Sequence, residues 1–404
     1  MNLFAIIVLL TASNNNTDSI IRGVYLNPWQ ASKKDYLKKI FAKADSGYIN
    51  AIVVDLKSDY GYLCYDSEIK LAKKIKAVKQ YIDIGYLVEH AQKHNLKLIA
   101  RVVCFRDNYL AQYKDYGIID DQGDVWKDKT GTAWVNPYVD GVADYLVSII
   151  QEIKNLGIES IALDYIRFPT DGSVKRIRLV NVKGPRNRPI IDFLKKIRKQ
   201  VDIEIGICIF GYAVWYDLKS EGQDVEQLGA YVDVVYPMLY PSHFPAQYKN
   251  DVDEYWRNYW IYFDSVIEAF TKLPLWVKVV PFVQGFGLFA ENYGCEYIAA
   301  QIYGAFGAYA DGFLIWNAAS NYATSWQPLW WARNSVLNRC VPNCLDTRMR
   351  EILHRYRDIV PPASLSQGQN QTKNQTTPWT DSLIGTQPSE KIRKFLHPDQ
   401  IPLW

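Results

Sequence analysis

Eight apolar, strand-like runs, each followed by a helix-like run, predict an α/β protein. The architecture that we expect is a (β/α)8 TIM barrel with loop insertions and a C-terminal extension, since the eight units occupy roughly 320 residues. A doubly wound sheet is the alternative, but such sheets usually have fewer strands and a glycine-rich first turn. The chain contains no G-x-G-x-x-G run, which favours the barrel.

The predicted strands are short, apolar and rich in β-branched residues, as buried parallel strands usually are. In chain order they cover residues 23–27, 51–55, 97–105, 160–164, 204–210, 234–240, 276–283 and 312–316. The predicted helices cover about residues 33–44, 84–94, 139–156, 190–200, 225–231, 255–270, 296–309 and 328–337. A long polar and aromatic loop separates the third strand from the next helix.

The sequence outside the barrel pattern divides the chain into three parts. Residues 1–18 contain an apolar run at 3–10 followed by small residues, which predicts a signal peptide or an N-terminal segment, although no basic residue precedes Arg22. Residues 19–338 form the predicted barrel domain. Residues 339–404 form a C-terminal extension that we expect to be partly disordered, because 361–389 is rich in polar residues and proline. We therefore expect a secreted, periplasmic or cell-envelope protein.

Composition narrows the classes of partner. The formal net charge is only +3, which gives no reason to expect nucleic-acid binding. Aromatic residues make up 14% of the chain, and their rings suit sugars as well as a protein core. In an exported protein Cys340 and Cys344 could form a small disulfide loop, whereas the other four cysteines lie singly on separate elements.

Alternation along each strand predicts which side chains reach the carboxyl-end mouth of the barrel, where catalytic groups of such barrels lie. If Val53 points inward, Asp55 reaches the mouth. In the last strand we expect Asn317 to align with Ile315 and Trp316 to lie opposite. The polar and aromatic side chains expected at the mouth are Asp55, Asp164, Arg101 or Arg167, Tyr240, His243, Gln284 and Asn317.

Carboxylates, an arginine, amides and aromatic rings together suit the binding of polyols and the stabilisation of an oxocarbenium-like transition state. Asp164 has the strongest claim, as an ionised nucleophile or base held by Arg167, although a purely structural pair is the alternative. Asp55 is the first candidate for the general acid, and a salt bridge to Lys57 or a loop cap is its alternative. Glu221 is a third catalytic candidate, although for Glu221 and Asp217 alike the sequence favours the alternative of an exposed loop acid.

The remaining candidates would bind substrate. Arg167 and Arg101 are the candidate cations. The expected stacking surfaces are Trp134, Tyr236, Tyr240 and Trp316, and the expected hydroxyl-binding side chains are His243, Gln284 and Asn317. Residues 175–188 form a basic insertion that is either a solvated loop or a cationic rim facing an anionic polymer.

The sequence lacks the motifs that are typical of metal sites, serine nucleophiles and phosphate-binding loops. His90 and His94 stand one helical turn apart, but no glutamate lies between them in an H-E-x-x-H pattern. The chain has no G-x-S-x-G elbow and no phosphate-binding P-loop. We therefore expect no metal and no cofactor.

Five motifs in order resemble a family of bacterial glycoside hydrolases that is catalogued as a domain of unknown function within the TIM-barrel hydrolase superfamily. They are VDLKSDYG at 54–61, AWVNPY at 133–138, DYIRFP at 164–169, YPMLYPSH at 236–243 and PFVQGF at 281–286. The resemblance covers about residues 21–321 and implies a (β/α)8 barrel that cleaves a polysaccharide or oligosaccharide.

The resemblance maps the strand-four acid of related hydrolases onto Asp164. Their second acid is often on strand five, where this chain instead has Cys208 and Phe210, so Asp55 and the 217–221 loop become the candidates. We expect a glycosidase acting on a polysaccharide, with an association with the cell envelope. The missing strand-five acid favours the alternative, a catalytically inactive carbohydrate-binding barrel. A deacetylase would need a metal site that the sequence does not contain.

Overall fold

The computed structural model describes residues 20–338, which form one closed parallel sheet surrounded by helices. The strands are β1 (Ile21–Leu26), β2 (Ala51–Lys57), β3 (Lys97–Val103), β4 (Ser160–Asp164), β5 (Glu204–Phe210), β6 (Val234–Met238), β7 (Lys278–Val279), β8 (Phe282–Gln284) and β9 (Gly312–Trp316). Strands β1 to β6 pair in sequence order, and β1 pairs with β9, so the sheet closes on itself.

The seventh position of the barrel is shared by two short strands. β6 pairs with both β7 and β8, and β8 then pairs with β9. Val280 and Pro281 separate the two pieces, and a proline has no N–H group to donate to a neighbouring strand. The nine strands therefore occupy eight positions in the ring, which is the (β/α)8 architecture that the sequence predicts.

The helices surround the sheet and pack apolar faces against it. They are α1 (Pro28–Ala31), α2 (Lys34–Asp45), α3 (Lys70–Lys74), α4 (Ile84–Lys93), α5 (Asp140–Asn155), α6 (Asn187–Gln200), α7 (Val225–Gly229), α8 (Glu254–Lys272), α9 (Cys295–Gly307) and α10 (Trp326–Asn338). None of the helices in residues 20–338 combines the length and apolar character of a membrane-spanning segment.

The barrel interior is filled by alternate side chains of the strands. On β2, Ala51 and Val53 belong to the inner cluster, while Ile52 and Val54 pack outward against the helices. Two-residue periodicity therefore carries Asp55 to the inner side at the carboxyl end of the strand. The inward position of Val53 is the condition under which the sequence predicted that Asp55 would reach the mouth.

Most predicted elements agree with the structure to within three residues, and the differences have physical causes. The predicted strand at 276–283 is interrupted at Pro281, and the short helices α1 and α3 had no periodic signal long enough to be recognised. The predicted parity of the last strand is wrong: Trp316 packs with the inner cluster and Ile315 packs outward. The predicted signal peptide, the Cys340–Cys344 loop and the C-terminal extension lie outside the described residues.

Candidate active site

Arg101 lies at the centre of the barrel mouth and joins carboxylates from two other parts of the chain. It stands inward near the end of β3 and is almost completely buried. Its Nη1 donates to Asp55 Oδ1 at 2.8 Å, and its Nε donates to Asp164 Oδ2 at 2.8 Å. Its Nη2 lies 2.7 Å from Asp164 Oδ2 and 2.7 Å from Asp59 Oδ1. One planar guanidinium therefore fixes three acids at the position where the active sites of such barrels are found.

Asp55 is the most enclosed of the three acids. Its second oxygen accepts a hydrogen bond of 2.7 Å from the Tyr25 hydroxyl, which reaches across from β1. Burial raises the pKa of Asp55 to about 6, and the opposing charge and hydrogen bond of Arg101 do not cancel that rise. Asp55 is therefore a carboxyl group that can hold a proton in mildly acidic solution, as a general acid must.

Asp164 ends β4 and faces the same arginine. Its Oδ1 accepts a hydrogen bond of 2.6 Å from the backbone N–H of Tyr165. Tyr165 has a φ of 48°, a left-handed conformation that is strained for an aromatic residue. The chain therefore turns sharply after Asp164, and the turn aims a backbone donor at the carboxylate.

The two buried carboxyl groups are close together. Asp55 and Asp164 each lie within 2.8 Å of a nitrogen of the same guanidinium. Their nearest oxygens are consequently separated by at most about 8 Å, the sum of the two contacts and the span of one planar guanidinium. This upper limit is compatible with the carboxyl separations of both retaining and inverting glycoside hydrolases.

Lys57 does not pair with Asp55, which removes the salt-bridge alternative for that acid. Its ammonium lies 2.8 Å from Asp107 Oδ2, and both side chains are fully enclosed. The same ammonium donates to Val103 O at 2.8 Å, and Asp107 Oδ1 accepts from the backbone N–H groups of Tyr109 and Leu110. This pair fixes the start of the long 104–136 segment to the end of β2.

A second polar network holds the wall of the mouth beside Asp59. Arg106 donates to Asp128 at 2.9 Å and to the Asp59 carbonyl at 3.3 Å. Asp128 also accepts from the Trp134 indole at 3.1 Å. Burial opposes ionisation of Asp128, but hydrogen bonds from Thr130, Arg106 and Trp134 lower its pKa to about 2. The network is satisfied internally, so we assign it a supporting role.

Among the predicted stacking surfaces, Trp316 is partly open to the mouth. Its ring stacks on Tyr25 with centroids 3.8 Å apart, and the Arg101 guanidinium lies 5.0 Å from it. Tyr240 is buried at the edge of the inner cluster, against Phe286 with centroids 5.5 Å apart. These rings form an apolar wall beside the acids.

The two other predicted stacking residues have no free ring face. Tyr236 is fully buried, because Gly206 lets its ring pack directly against the neighbouring strand. Trp134 is buried beneath Tyr165 and the Arg167 guanidinium. The stacking interpretation is therefore wrong for both rings in this structure, since each contributes to the interior instead.

Two predicted hydroxyl-binding amides are occupied by the backbone. Gln284 accepts from Ser242 N–H at 3.0 Å and donates to two carbonyls of the 285–294 loop. Asn317 donates to the Gly285 carbonyl and accepts from Ala319 and Asn321 N–H. The chain leaves the sheet at these positions, and its unpaired backbone groups need such partners. The structure gives both amides a loop-anchoring role.

The remaining candidates form no ion pair or hydrogen bond with the carboxylates of Asp55 and Asp164 in the described part of the chain. Arg167 does not hold Asp164, because Arg101 occupies that carboxylate; it contacts three aromatic rings instead. Glu221 is buried on the loop after β5, where its carboxylate accepts from Ser220 and its carbonyl accepts from Phe168 N–H. His243 is exposed at the rim, with Nδ1 3.1 Å from Ser242 Oγ.

Sequence reasoning missed three side chains of the site. Tyr25 donates to Asp55, Asp59 binds Arg101, and Phe286 lines the wall. Tyr25 could have been found from its alternation with Gly23 on the first strand, and Asp59 from its place in the 54–61 motif. Residues 20–338 contain no grouping of histidine, cysteine and acidic side chains suited to a metal ion.

A closed (β/α)8 barrel whose mouth gathers acids and aromatic rings defines the class of barrel hydrolases that act on glycosidic bonds. The model of a family described as "Putative glycosyl hydrolase domain" matches residues 23–322. The chain therefore belongs to this family, and the family makes the protein a glycosidase. A search of curated proteins found no match to this chain.

Two solved structures share the fold. The glycoside hydrolase domain of PgaB (BpsB) from Bordetella bronchiseptica is 9% identical over 77% of this chain and 98% of its own, with a TM-score of 0.54. The GH36 alpha-galactosidase AgaB from Geobacillus stearothermophilus is 11% identical over 83% of this chain and 43% of its own, with a TM-score of 0.50. A hypothetical protein from Ruminiclostridium thermocellum is 29% identical over 46% of this chain and 96% of its own, with a TM-score of 0.44.

Proposed function

We propose that the protein hydrolyses glycosidic bonds within a polysaccharide by a two-carboxylate mechanism centred on Asp164 and Asp55. One observation carries the proposal: Arg101 brings these two acids, from β4 and β2, onto a single guanidinium at the barrel mouth. Acids from distant parts of the chain converge here on one point. Glycoside hydrolysis requires such a pair flanking the scissile bond.

In this proposal Asp164 is the ionised member of the pair. It receives two contacts from Arg101 and one from the Tyr165 N–H, which place a positive charge and three N–H donors at its oxygens. An ionised carboxylate at this position can attack the anomeric carbon or activate a water molecule. The positive charge that develops on the sugar would lie beside it, in a site with little competing solvent.

Asp55 is the proton donor in this proposal. Burial raises its pKa to about 6, so the carboxyl group keeps a proton that it can pass to the leaving oxygen. The Tyr25 hydroxyl and Arg101 hold both of its oxygens in place, which fixes the direction of transfer. Arg101 thus positions both acids, and the proposal needs no cofactor.

A polysaccharide, in preference to a small glycoside, is supported by exposed rings on separate sides of the rim. Tyr60 follows β2 and is 56% exposed, and Phe289 follows β8 and is 81% exposed. Sugar rings present apolar faces that pack on such side chains. Positions two and seven of an eight-membered ring lie well apart, so one bound chain could contact both while crossing the acids.

Cleavage of a glycan panel by the purified protein tests the proposal. We expect Asp164→Asn to lower the rate by about a hundredfold or more, because the amide cannot act as nucleophile or base. Asp192→Asn is the matched control, since Asp192 is a half-exposed acid on α6 that pairs with Arg188 and contacts none of the mouth acids. Equal cleavage by wild type and Asp164→Asn would refute the catalytic role of Asp164.

The second candidate function is a catalytically inactive sugar-binding barrel. It is favoured by Cys208 and Phe210 on β5, where related hydrolases often have an acid, and by the enclosure of Asp55. Titration calorimetry distinguishes the two candidates. Saturable binding of an oligosaccharide with no product after prolonged incubation supports the inactive barrel, and any product whose formation depends on Asp164 excludes it.

Export to the cell envelope is a further part of the proposal, and it is supported by the apolar run at residues 3–10. Fractionation of cells that produce the full chain tests it. Recovery of the protein only with the cytoplasmic fraction would contradict export.

A further inference from the structure

Arg167 is a buried cation with no carboxylate partner among residues 20–338. It lies three residues after Asp164 and is only 9% exposed. Its Nη1 donates to the Phe168 carbonyl at 3.0 Å and to Thr170 Oγ1 at 3.3 Å. Its Nε and Nη2 form no hydrogen bond with the described part of the chain, and neither atom is fully enclosed. A buried charge without a counter-ion is costly, so an unpaired guanidinium at a mouth indicates a ligand.

Three aromatic rings hold this guanidinium in position. The centroid of Phe210 lies 4.4 Å from its central carbon, that of Trp134 lies at 5.0 Å and that of Tyr165 lies at 5.1 Å. Cation–π contacts of this kind stabilise a partly desolvated arginine without consuming its N–H donors. The rings thus fix the guanidinium and leave part of its donor fork available.

The acids near Arg167 do not neutralise it. Asp164, Asp171 and Glu221 lie close enough to affect its pKa, yet none is within 4.0 Å, and burial still lowers that pKa. Asp164 is bound by Arg101, Asp171 lies 3.4 Å from Lys129, and Glu221 accepts from Ser220. Each neighbouring acid therefore has another partner.

The loop that follows β4 adds exposed positive charge on the same side of the mouth. Lys175, Arg178 and Lys183 are exposed, and none of them forms an ion pair with an acid in the described part of the chain. The acids Asp120 and Asp121 of the preceding loop pair with Arg176. They therefore do not neutralise the three exposed cations. This is an observation independent of Arg167 that also favours a negatively charged ligand.

We propose that Arg167 and the 175–183 loop form a subsite for an acidic sugar, so that the substrate is a polysaccharide carrying carboxylate, sulfate or phosphate groups. The inference rests on the proposed function and narrows its substrate class. A planar guanidinium matches the oxygens of such groups with two parallel hydrogen bonds. Because Arg167 follows Asp164 by three residues, the anionic group would belong to a sugar at or next to the cleaved bond.

Binding of charged and neutral glycans tests the inference. The probes are polygalacturonate and hyaluronan, each compared with its carboxyl-esterified form, and chondroitin sulfate compared with chondroitin that is both desulfated and carboxyl-esterified. Binding is measured in the Asp164→Asn background, so that turnover does not consume the ligand. We expect the protein to bind at least one charged glycan more tightly than its neutral counterpart. Arg167→Gln should lower the affinity for that charged glycan by about tenfold to hundredfold.

The variants separate recognition from folding. Arg198→Gln is the matched control, because Arg198 is an exposed arginine near the end of α6 that pairs with Asp233 at the opposite end of the barrel, and we expect its affinity to equal that of the parent. The double variant Lys175→Gln/Lys183→Gln changes only exposed side chains. We expect it to lose less affinity for acidic glycans than Arg167→Gln does, and we expect this loss to disappear at high salt. Thermal unfolding of each variant shows whether it is folded.

The outcomes have distinct meanings. Preference for charged forms that Arg167→Gln abolishes supports the subsite. Three results would overturn it: tighter binding of the neutral forms, no binding of any charged glycan, or an equal loss of affinity for charged and neutral glycans in Arg167→Gln. Cleavage of neutral glycans that depends on Asp164 but not on Arg167 would retain the proposed function while removing the acidic subsite.

Discussion

Arg101 and Arg167 are two buried arginines at one barrel mouth, and their surroundings are opposite. Arg101 contacts the carboxylates of Asp55, Asp59 and Asp164. Arg167 contacts three aromatic rings and no carboxylate in residues 20–338. Burial of a cation therefore has two solutions in this molecule. In one the chain supplies the countercharge and gains a fixed group of acids; in the other the rings hold the cation and a ligand can supply the countercharge.

Replacing each arginine by methionine gives the largest expected effect. We expect Arg101→Met to lower the free energy of unfolding by about 3–5 kcal/mol, because two buried carboxyl groups lose their counter-ion. Arg167→Met should cost less, about 1–2 kcal/mol, since it removes cation–π contacts and the hydrogen bonds to Phe168 O and Thr170 Oγ1 but leaves no acid unpaired. Urea denaturation of both variants at pH 7 measures the difference. Equal losses of unfolding free energy would mean that Arg167, like Arg101, has an anionic partner within the protein.

The Asp55→Asn variant sharpens the account of the Arg101 side. Folding raises the pKa of Asp55 from its ordinary value of 3.8 to about 6, so the folded state holds this proton more tightly than the unfolded chain does. The resulting stabilisation is fully present below about pH 4 and is lost as the pH rises through about 6. The shift corresponds to about 3 kcal/mol.

Unfolding free energies of wild type and Asp55→Asn, measured between pH 4 and pH 7, test this expectation. Taking the difference at each pH removes the contributions of other titrating groups. We expect the wild type to lose stability relative to the variant as the pH rises. A difference that stays constant across this range would show that the Asp55 pKa is not raised.

A smaller effect is expected from Tyr25→Phe. The Tyr25 hydroxyl donates to the ionised form of Asp55, so its removal should raise the pKa of Asp55 further and cost about 1 kcal/mol of stability. The alkaline limb of kcat/KM on a cleaved glycan should move to higher pH by a fraction of a unit. Tyr322→Phe, which removes another buried hydroxyl near β1, is the control and should leave the limb in place. If the alkaline limb moves in Tyr322→Phe but not in Tyr25→Phe, the limb reports the pKa of a group other than Asp55.

The sequence predicted the barrel because its signals are local. Each strand is a short apolar run and each main helix has a periodic apolar face, so the alternation along the chain was visible without coordinates. Asp164 and Asp55 could also be placed at the mouth, because two-residue alternation and strand ends fix the direction of a side chain. Pro281 is visible in the sequence, but its presence alone did not show that the predicted strand would divide into β7 and β8.

The partners of the polar groups could not be predicted in the same way. The sequence predicted that Arg167 holds Asp164, whereas Arg101 does so in the structure, because the outcome depends on how the strands twist and where the chain turns after β4. Gln284 looked available for a ligand because the sequence does not show which backbone groups a loop will leave unpaired. These are contacts between distant segments, which no local pattern encodes.

The ion pair between Lys57 and Asp107 has a consequence for how substrate reaches the acids. Both side chains are fully enclosed at the junction between β2 and the long 104–136 segment, and Gly61 approaches Asp107 so closely that an added methyl would lie 2.1 Å from its oxygen. Separating the pair would expose two ions to an incomplete environment, which costs several kcal/mol. The start of this segment is therefore held in place, and we expect substrate to reach the acids without any movement of this part of the wall.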